Sequence, residues 1–397
     1  MARLRALTIA LVLCVAALMP APARAYSVLA HEAHVDALWD AGIRPLLRRR
    51  FPRTTEAELA GARAYAYGGA VIQDLGYYPF GNHFFSNLMH YVKSGEFVET
   101  LIRESRDVNE YAFALGALAH YVSDNTGHPE AVNRAVPIMF PKLGDKYGRV
   151  VTYQESPTSH VRTEFSFDIV QVAAGRYASK VYHDFIGFQV AKPALERAFK
   201  DTYGLTVGDV LDDEDLAIAS YRHAIADLIP EITRAAWKAK KDEIAKVVPD
   251  ANERTFVYTF SSRDYEQEFG SNYRKPGFFT RIVVVLYRIL PKMGPLKALD
   301  FKAPTPEAER LFSASLADTR RRYAEALTAV GEGRLRLTNT NFDTGRPTRP
   351  GEYTLADRTS QELKEALQHL HRAAHGVPTS SALSAPGFGT NFWVRPY

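Results

Sequence analysis

Tyr111-Ala-Phe-Ala-Leu-Gly-Ala-Leu-Ala-His120-Tyr-Val-Ser-Asp124-Asn-Thr-Gly-His128 is the stretch on which the reading of this chain turns. From Tyr111 to Val122 it is apolar almost all round, which predicts a central helix buried on most of its faces. Four residues on a helix turn about 40° past one full turn, so His120 and Asp124 face the same way and can share one ion. An unpaired Asp124 on so apolar a helix would be costly to bury, and a cation is the simplest compensation. Gly127 and Pro129 predict that the helix ends there, leaving His128 at or past the last turn, displaced enough to reach a second ion.

Outward from this segment the same spacing recurs. His160-Val-Arg-Thr-Glu164 is a second pair four residues apart, and Ser156, Pro157, Thr158 and Ser159 before it suit a helix start. Upstream, Asp74 lies in Gly-Ala-Val-Ile-Gln-Asp-Leu-Gly-Tyr-Tyr-Pro and His83 in Gly-Asn-His-Phe-Phe. Tyr26-Ser-Val-Leu-Ala-His31 lies further back, with His34 close behind.

The chain has 397 residues and a formal net charge of +4. Arg3 and Arg5, the apolar run Ala6 to Met19 and then Ala23-Arg24-Ala25 read as a signal peptide, residues 1–25, with the mature chain starting at Tyr26. At about 14 residues the apolar run is too short to span a bilayer. Removing Arg3, Arg5 and Arg24 brings the net charge to +1, which disfavours a nucleic-acid backbone as partner on bulk charge. The single cysteine, Cys14, falls in the signal segment, so the exported chain, periplasmic or secreted, has no disulfide and relies on its core.

From Ala30 to about Lys246 the apolar residues recur at helical spacing, predicting an all-α body. The charged stretch Glu231 to Lys246 belongs outside it. A composition shift after Pro249 sets a boundary near 250, dividing a catalytic domain, 26–250, from a smaller, mostly helical extension, 251–397. Within the extension, Tyr258 to Tyr273 is aromatic and polar without period. Gly277 to Leu290 reads as a core element rather than a membrane-surface helix, because it lacks a clear polar face. Thr305 and Pro306 start a helix that stops near Gly331, another runs from Ser360 to His375, and Thr338 to Tyr353 and the tail after Gly376 are loop.

The ordered set of Tyr26, His31, Asp74, His83, His120, Asp124, His128, His160 and Glu164 resembles the trinuclear zinc phospholipases C. Their relatives, the single-strand-specific nucleases and the glycosylphosphatidylinositol-specific phospholipase D, are similar too. The resemblance implies a multi-helix bundle and up to three zinc ions. One ion would be held by Asp74, His83, His120 and Asp124, and a second by His128, His160 and Glu164. The third would take His31, a bridging Asp124, and the free amine and carbonyl oxygen of Tyr26. Such an amine titrates near 8 and its own carbonyl closes a chelate, so signal cleavage would help build the site. His90 rivals His83; His83 is preferred because an aromatic follows it and His90 is read as starting the next helix. His34 rivals His31, which the short opening favours.

The resemblance implies a zinc-dependent phosphodiesterase, most simply a phospholipase C. Asp74 would orient or deprotonate the attacking water in addition to binding metal. Gly76-Tyr77-Tyr78-Pro79-Phe80 either lines the mouth, with peripheral membrane contact, or packs on the core. The alternatives are a zinc nuclease, which would need aromatic platforms and a basic track, and a non-enzymatic zinc-stabilised protein with closed four-ligand sites. No Gly-x-Ser-x-Gly elbow and no phosphate-cradling Gly-rich motif is present, and His183, His223, His369, His371 and His375 read as packing or surface residues.

Overall fold

The structure, a computed structural model, describes residues 28–174, 188–225 and 301–374, with the single positions 237, 241, 242 and 245. The signal segment, Tyr26, most of Glu231 to Lys246, the boundary near 250, Tyr258 to Tyr273, Gly277 to Leu290 and the tail lie outside the described residues. What is described is all-α except for one short strand pair.

The chain opens with α1 (Val28–Leu38) and α2 (Arg44–Arg50), joined by a π-turn at Trp39–Ile43. Helix α3 (Glu56–Ile72) starts at a reciprocal cap in which the Thr55 hydroxyl accepts from the Glu58 amide and the Glu58 carboxylate accepts from the Thr55 amide. Then follow α4 (His83–Tyr91), capped by Asn82, and α5 (Ser94–Glu104). The central helix α6 (Val108–Gly127) is capped by Asp107, which accepts from the amides of Asn109 and Glu110, both at 2.9 Å. A π-turn at His128–Val132 leads to α7 (Asn133–Met139), α8 (Pro141–Tyr147) and α9 (Pro157–Ala173). Helices α10 (Lys192–Tyr203), α11 (Glu214–His223), α12 (Pro306–Gly331) and α13 (Thr354–Ala374) complete the described set.

The most extensive helix contact is between α3 and α6. It is a backbone-to-backbone contact made by small residues. A Cβ on Gly69 would stand 1.8 Å from the Phe113 carbonyl oxygen, and one on Gly116 would stand 1.9 Å from that of Ala66. No side chain fits at either point, so the two main chains themselves form the floor of the molecule. Around it α6 is buried on nearly every face, as its composition predicts.

The C-terminal part is not a separate body where it is described. Phe312, Leu316, Tyr323 and Leu327 of α12 and Leu363 and Ala366 of α13 share one hydrophobic core with α1 to α7 and α9 to α11. Thr305 caps α12 by accepting from the Ala308 amide at 3.2 Å. Helix α13 begins at Thr354, ahead of Ser360. Between these helices, β1 (Thr340–Asn341) pairs antiparallel with β2 (Arg346–Pro347) in a segment otherwise read as loop. The Ser94 hydroxyl donates to the Thr340 carbonyl (2.7 Å), the Tyr121 hydroxyl donates to that of Thr338 (2.7 Å), and the Phe342 amide donates to that of His90 (3.1 Å). These bonds strap the segment across α4, α5 and α6.

The α3–α6 contact predicts opposite outcomes for two glycine replacements. Gly116→Ala overpacks the interface and is expected to cost at least about 1–3 kcal/mol. Gly61→Ala, exposed on α3 with nothing within 4 Å of the added carbon, is expected to stabilise by about 0.5–1 kcal/mol through reduced chain entropy. Thermal unfolding of the two variants distinguishes them.

Candidate metal centre

Helix α6 brings His120 and Asp124 to its buried end, both fully shielded from solvent. The His120 Nδ1–H donates to the Ala70 carbonyl across the α3–α6 contact at 2.8 Å, which assigns that tautomer and turns Nε2 toward the centre. His90, in the last turn of α4, is oriented in the same way by the Ser86 carbonyl at 2.8 Å from its Nδ1. Asp74 follows directly on α3. These four residues converge: His90 Nε2 lies 3.3 Å from Asp74 Oδ1 and 3.5 Å from Asp124 Oδ2. His120 Nε2 lies 3.1 Å from Asp124 Oδ2 and 3.4 Å from His90 Nε2. Four ligands on a tetrahedral zinc at bond lengths of about 2.0–2.1 Å stand about 3.4 Å apart. The donor spacing therefore matches that of a single ion's ligand shell.

The other oxygen of Asp124 faces elsewhere. Asp124 Oδ1 lies 3.5 Å from His31 Nε2, and the His31 ring stacks on that of His120 with centroids 4.1 Å apart. His31, His120 and Asp124 offer ligand atoms all within 4.8 Å of one another, as do Asp74, His90 and His120. His34 is buried too but belongs to neither group, and its ring is pushed down to about 3 by burial and by the charge of Arg320.

A third group lies beyond the end of α6. On α9, His160 Nδ1 lies 2.8 Å from Glu164 Oε1, and His128 Nε2 in the π-turn lies 4.0 Å from the same oxygen. One helical turn past Glu164, Asp168 Oδ2 accepts from the Leu29 amide at 3.0 Å, clasping the start of α1 beside this helix. Asp343, from the strap between the strands, joins His128 and His160 with ligand atoms within 4.8 Å. Nothing local in the sequence marks Asp343; its place is legible only from the hydrogen bond it makes across 215 residues.

The residues brought together therefore differ from the sequence reading at two points. His90 stands with Asp74, His120 and Asp124, while His83 does not. Asn82 caps α4 so that His83 begins this helix and His90 ends it, rather than starting the next. The two are seven residues apart, about 10 Å along the axis, and the Tyr77 ring lies between them at 5.4 Å from each. The short interval from Asp74 to His83 was the available warning. The second difference is the addition of Asp343. Of the other histidines, His369 and His371 are exposed on α13.

The electrostatics suit a cation. Asp74 Oδ1 and Oδ2, both Asp124 oxygens and His128 Nε2 are buried and make no hydrogen bond among the described residues. Burial drives His31 well down, reinforced by the charge of His120. Burial also acts to lower His90, but the neighbouring Asp124 and Asp74 carboxylates outweigh it and raise the ring to about 10. Asp124 is held well below the usual carboxylate range by His120, His90 and His31, against the opposing effect of burial. Two carboxylates in a dry centre thus demand positive charge where the imidazole nitrogens meet.

A helical body whose centre gathers His31, His90, His120, His128 and His160 with Asp74, Asp124, Glu164 and Asp343 offers the donor set that a metal-dependent hydrolase uses. Residues 30–211 match the family model described as "Zinc dependent phospholipase C", so this stretch is similar to that family. The matched stretch contains every gathered residue except Asp343. Neither the curated proteins nor the solved structures gave a match.

Replacing each histidine of α4 tests the placement. His90→Ala is expected to remove one equivalent of bound zinc, and His83→Ala to leave the zinc content unchanged, as read by elemental analysis of each purified variant.

Proposed function

We propose that this chain is an exported zinc-dependent phosphodiesterase that acts as a phospholipase C, cleaving the head-group phosphodiester of a phospholipid to diacylglycerol and a phosphorylated head group. The observation that carries it is the division of one carboxylate, with Asp124 Oδ2 directed to His120 and His90 and Oδ1 to His31. A carboxylate shared in this way suits two adjacent ions, the arrangement that clamps both oxygens of a phosphoryl displacement.

Asp74, His90, His120 and Asp124 would hold one ion, and His128, His160 and Glu164 another. His31 and Asp124 would hold a third, together with the backbone amine and carbonyl of Tyr26. The clasp of Asp168 on Leu29, only three residues after Tyr26, supports an N-terminus near this centre. When bound, zinc supplies neutralisation of phosphoryl charge and lowers the pKa of water toward neutrality. The chain's own residues do the rest. The Ala70 and Ser86 carbonyls keep His120 and His90 in the tautomer that presents Nε2 inward. Asp74 Oδ2, without a hydrogen bond among the described residues, is the acceptor that orients the attacking water and takes its proton. The buried walls exclude bulk solvent and so strengthen each of these interactions.

A lipid substrate is favoured over nucleic acid by the near-neutral mature charge and by the surface beside the site. Tyr77 and Tyr78 are buried, Tyr78 against Tyr221 at 3.6 Å, but Phe80 is 50% exposed and held at a φ of 63°. An aromatic side chain displayed at such a strained position suits insertion into a lipid surface. Among the described residues no helix is long and apolar enough to cross a membrane, so contact of this kind would be peripheral.

The deciding experiment compares the chain beginning at Tyr26 with one carrying an extra residue before it, assaying zinc content and hydrolysis of phosphatidylcholine and single-stranded DNA. About three zincs, one fewer on extension, and lipid cleavage alone are expected. DNA cleavage would move the reading to a nuclease, and a chain without zinc would overturn it. Asp74→Asn is expected to reduce kcat on lipid at least about 10²-fold. Phe80→Ser should reduce turnover of vesicles while leaving that of a short-chain, monomeric phosphodiester unchanged.

A further inference from the structure

We propose that Asp343 is a positioning residue of the metal centre. Its carboxylate, delivered by a segment outside the family-matched stretch, fixes the His128 ring so that Nε2 presents its lone pair to the cation held by His128, His160 and Glu164. The proposal rests on the zinc reading above and adds to it a residue that the motif pattern does not contain.

The geometry assigns each atom. His128 Nδ1–H donates to Asp343 Oδ1 at 2.6 Å, which leaves Nε2 as the nitrogen directed toward Glu164. The remaining oxygen, Oδ2, accepts from the hydroxyls of Tyr91, at 3.3 Å, and Tyr353. With Oδ2 occupied, Oδ1 is aimed at the imidazole. Asn133 completes the arrangement by donating through Nδ2 to the Asp343 carbonyl at 2.6 Å and accepting through Oδ1 from His160 Nε2 at 2.8 Å. That second bond leaves His160 Nδ1 for Glu164 and the ion. One amide therefore sets the tautomer of His160 and the height of Asp343 at once.

A structural bond alone does not account for the charge. Asp343 is 1% exposed, and an asparagine would fill the same space without the cost of burying an anion. A carboxylate on the far nitrogen of a ligating histidine raises the basicity of the near one and restrains the ring. The strap that carries Asp343 is built for accuracy: Phe342 beside it is fully buried with its ring 5.1 Å from that of His90. Gly345 makes the following turn at a φ of 65°, where an added Cβ would meet the Asn125 carbonyl oxygen at 2.8 Å.

The test measures zinc retention of the full mature chain against a competing chelator, with helix content by circular dichroism beside it. Asp343→Asn keeps shape and removes charge; it is expected to release one zinc at a chelator concentration about 10–100-fold lower, with the other two and the helix content unchanged. Tyr353→Phe should shift the same zinc in the same direction by less. Added to His128→Ala, Asp343→Asn is expected to change retention no further, because it acts through that ring. Zinc held as tightly by Asp343→Asn as by the wild type overturns this inference alone. So does an equal weakening in both backgrounds, which would mark a role in the fold. A wild-type chain that binds no zinc overturns the zinc reading and this inference together.

Discussion

Everything at the centre of this molecule depends on the contact of two main chains, α3 at Gly69 and α6 at Gly116. Because no side chain separates the helices there, the Ala70 carbonyl comes within hydrogen-bond reach of His120. That single bond orients the first imidazole. Asp124 then follows one turn further along α6, and Asp74 follows the end of α3. Three of the four groups in the first cluster are thus set by one interhelical distance, which small residues alone permit.

The second governing constraint is electrostatic. Asp74, Asp124, Glu164 and Asp343 are all buried, and burying carboxylates is tolerated only where positive charge or several donors meet them. The structure uses both solutions in a graded way. Asp343 accepts from two tyrosines and a histidine and is held below the usual carboxylate range, although burial opposes this. Asp74 and Asp124 have histidine nitrogens near them but no hydrogen bond among the described residues. The better satisfied carboxylate therefore suits a supporting role, and the two less satisfied ones suit direct contact with cations.

The strap from Thr338 to Tyr353 joins these two constraints. It borrows the backbone of α4 through His90 and Tyr91, and it returns Phe342 and Asp343 to opposite parts of the centre. The helices before and after it, α12 and α13, share the core of the body. Precision in the metal centre thus comes from a piece of chain far from it in sequence, in keeping with the general need of such sites for supporting hydrogen bonds around the ligands.

What the sequence by itself determined is local. The apolar run from Tyr111 requires a buried helix, and the helical repeat puts His120 with Asp124 and His160 with Glu164, because side chains four residues apart share a face whatever surrounds them. The glycine and proline after Asp124 likewise mark the end of α6 from chain geometry alone. Other features were decided only by the tertiary structure. Whether His83 or His90 meets Asp74 depends on where Asn82 caps α4 and how that helix lies, since the two histidines differ by two turns on one face. Asp343 has no periodic or motif signal at all; its meeting with His128 joins positions 215 apart. Spacing along a helix is a property of the backbone, whereas proximity between distant segments exists only once the core has packed.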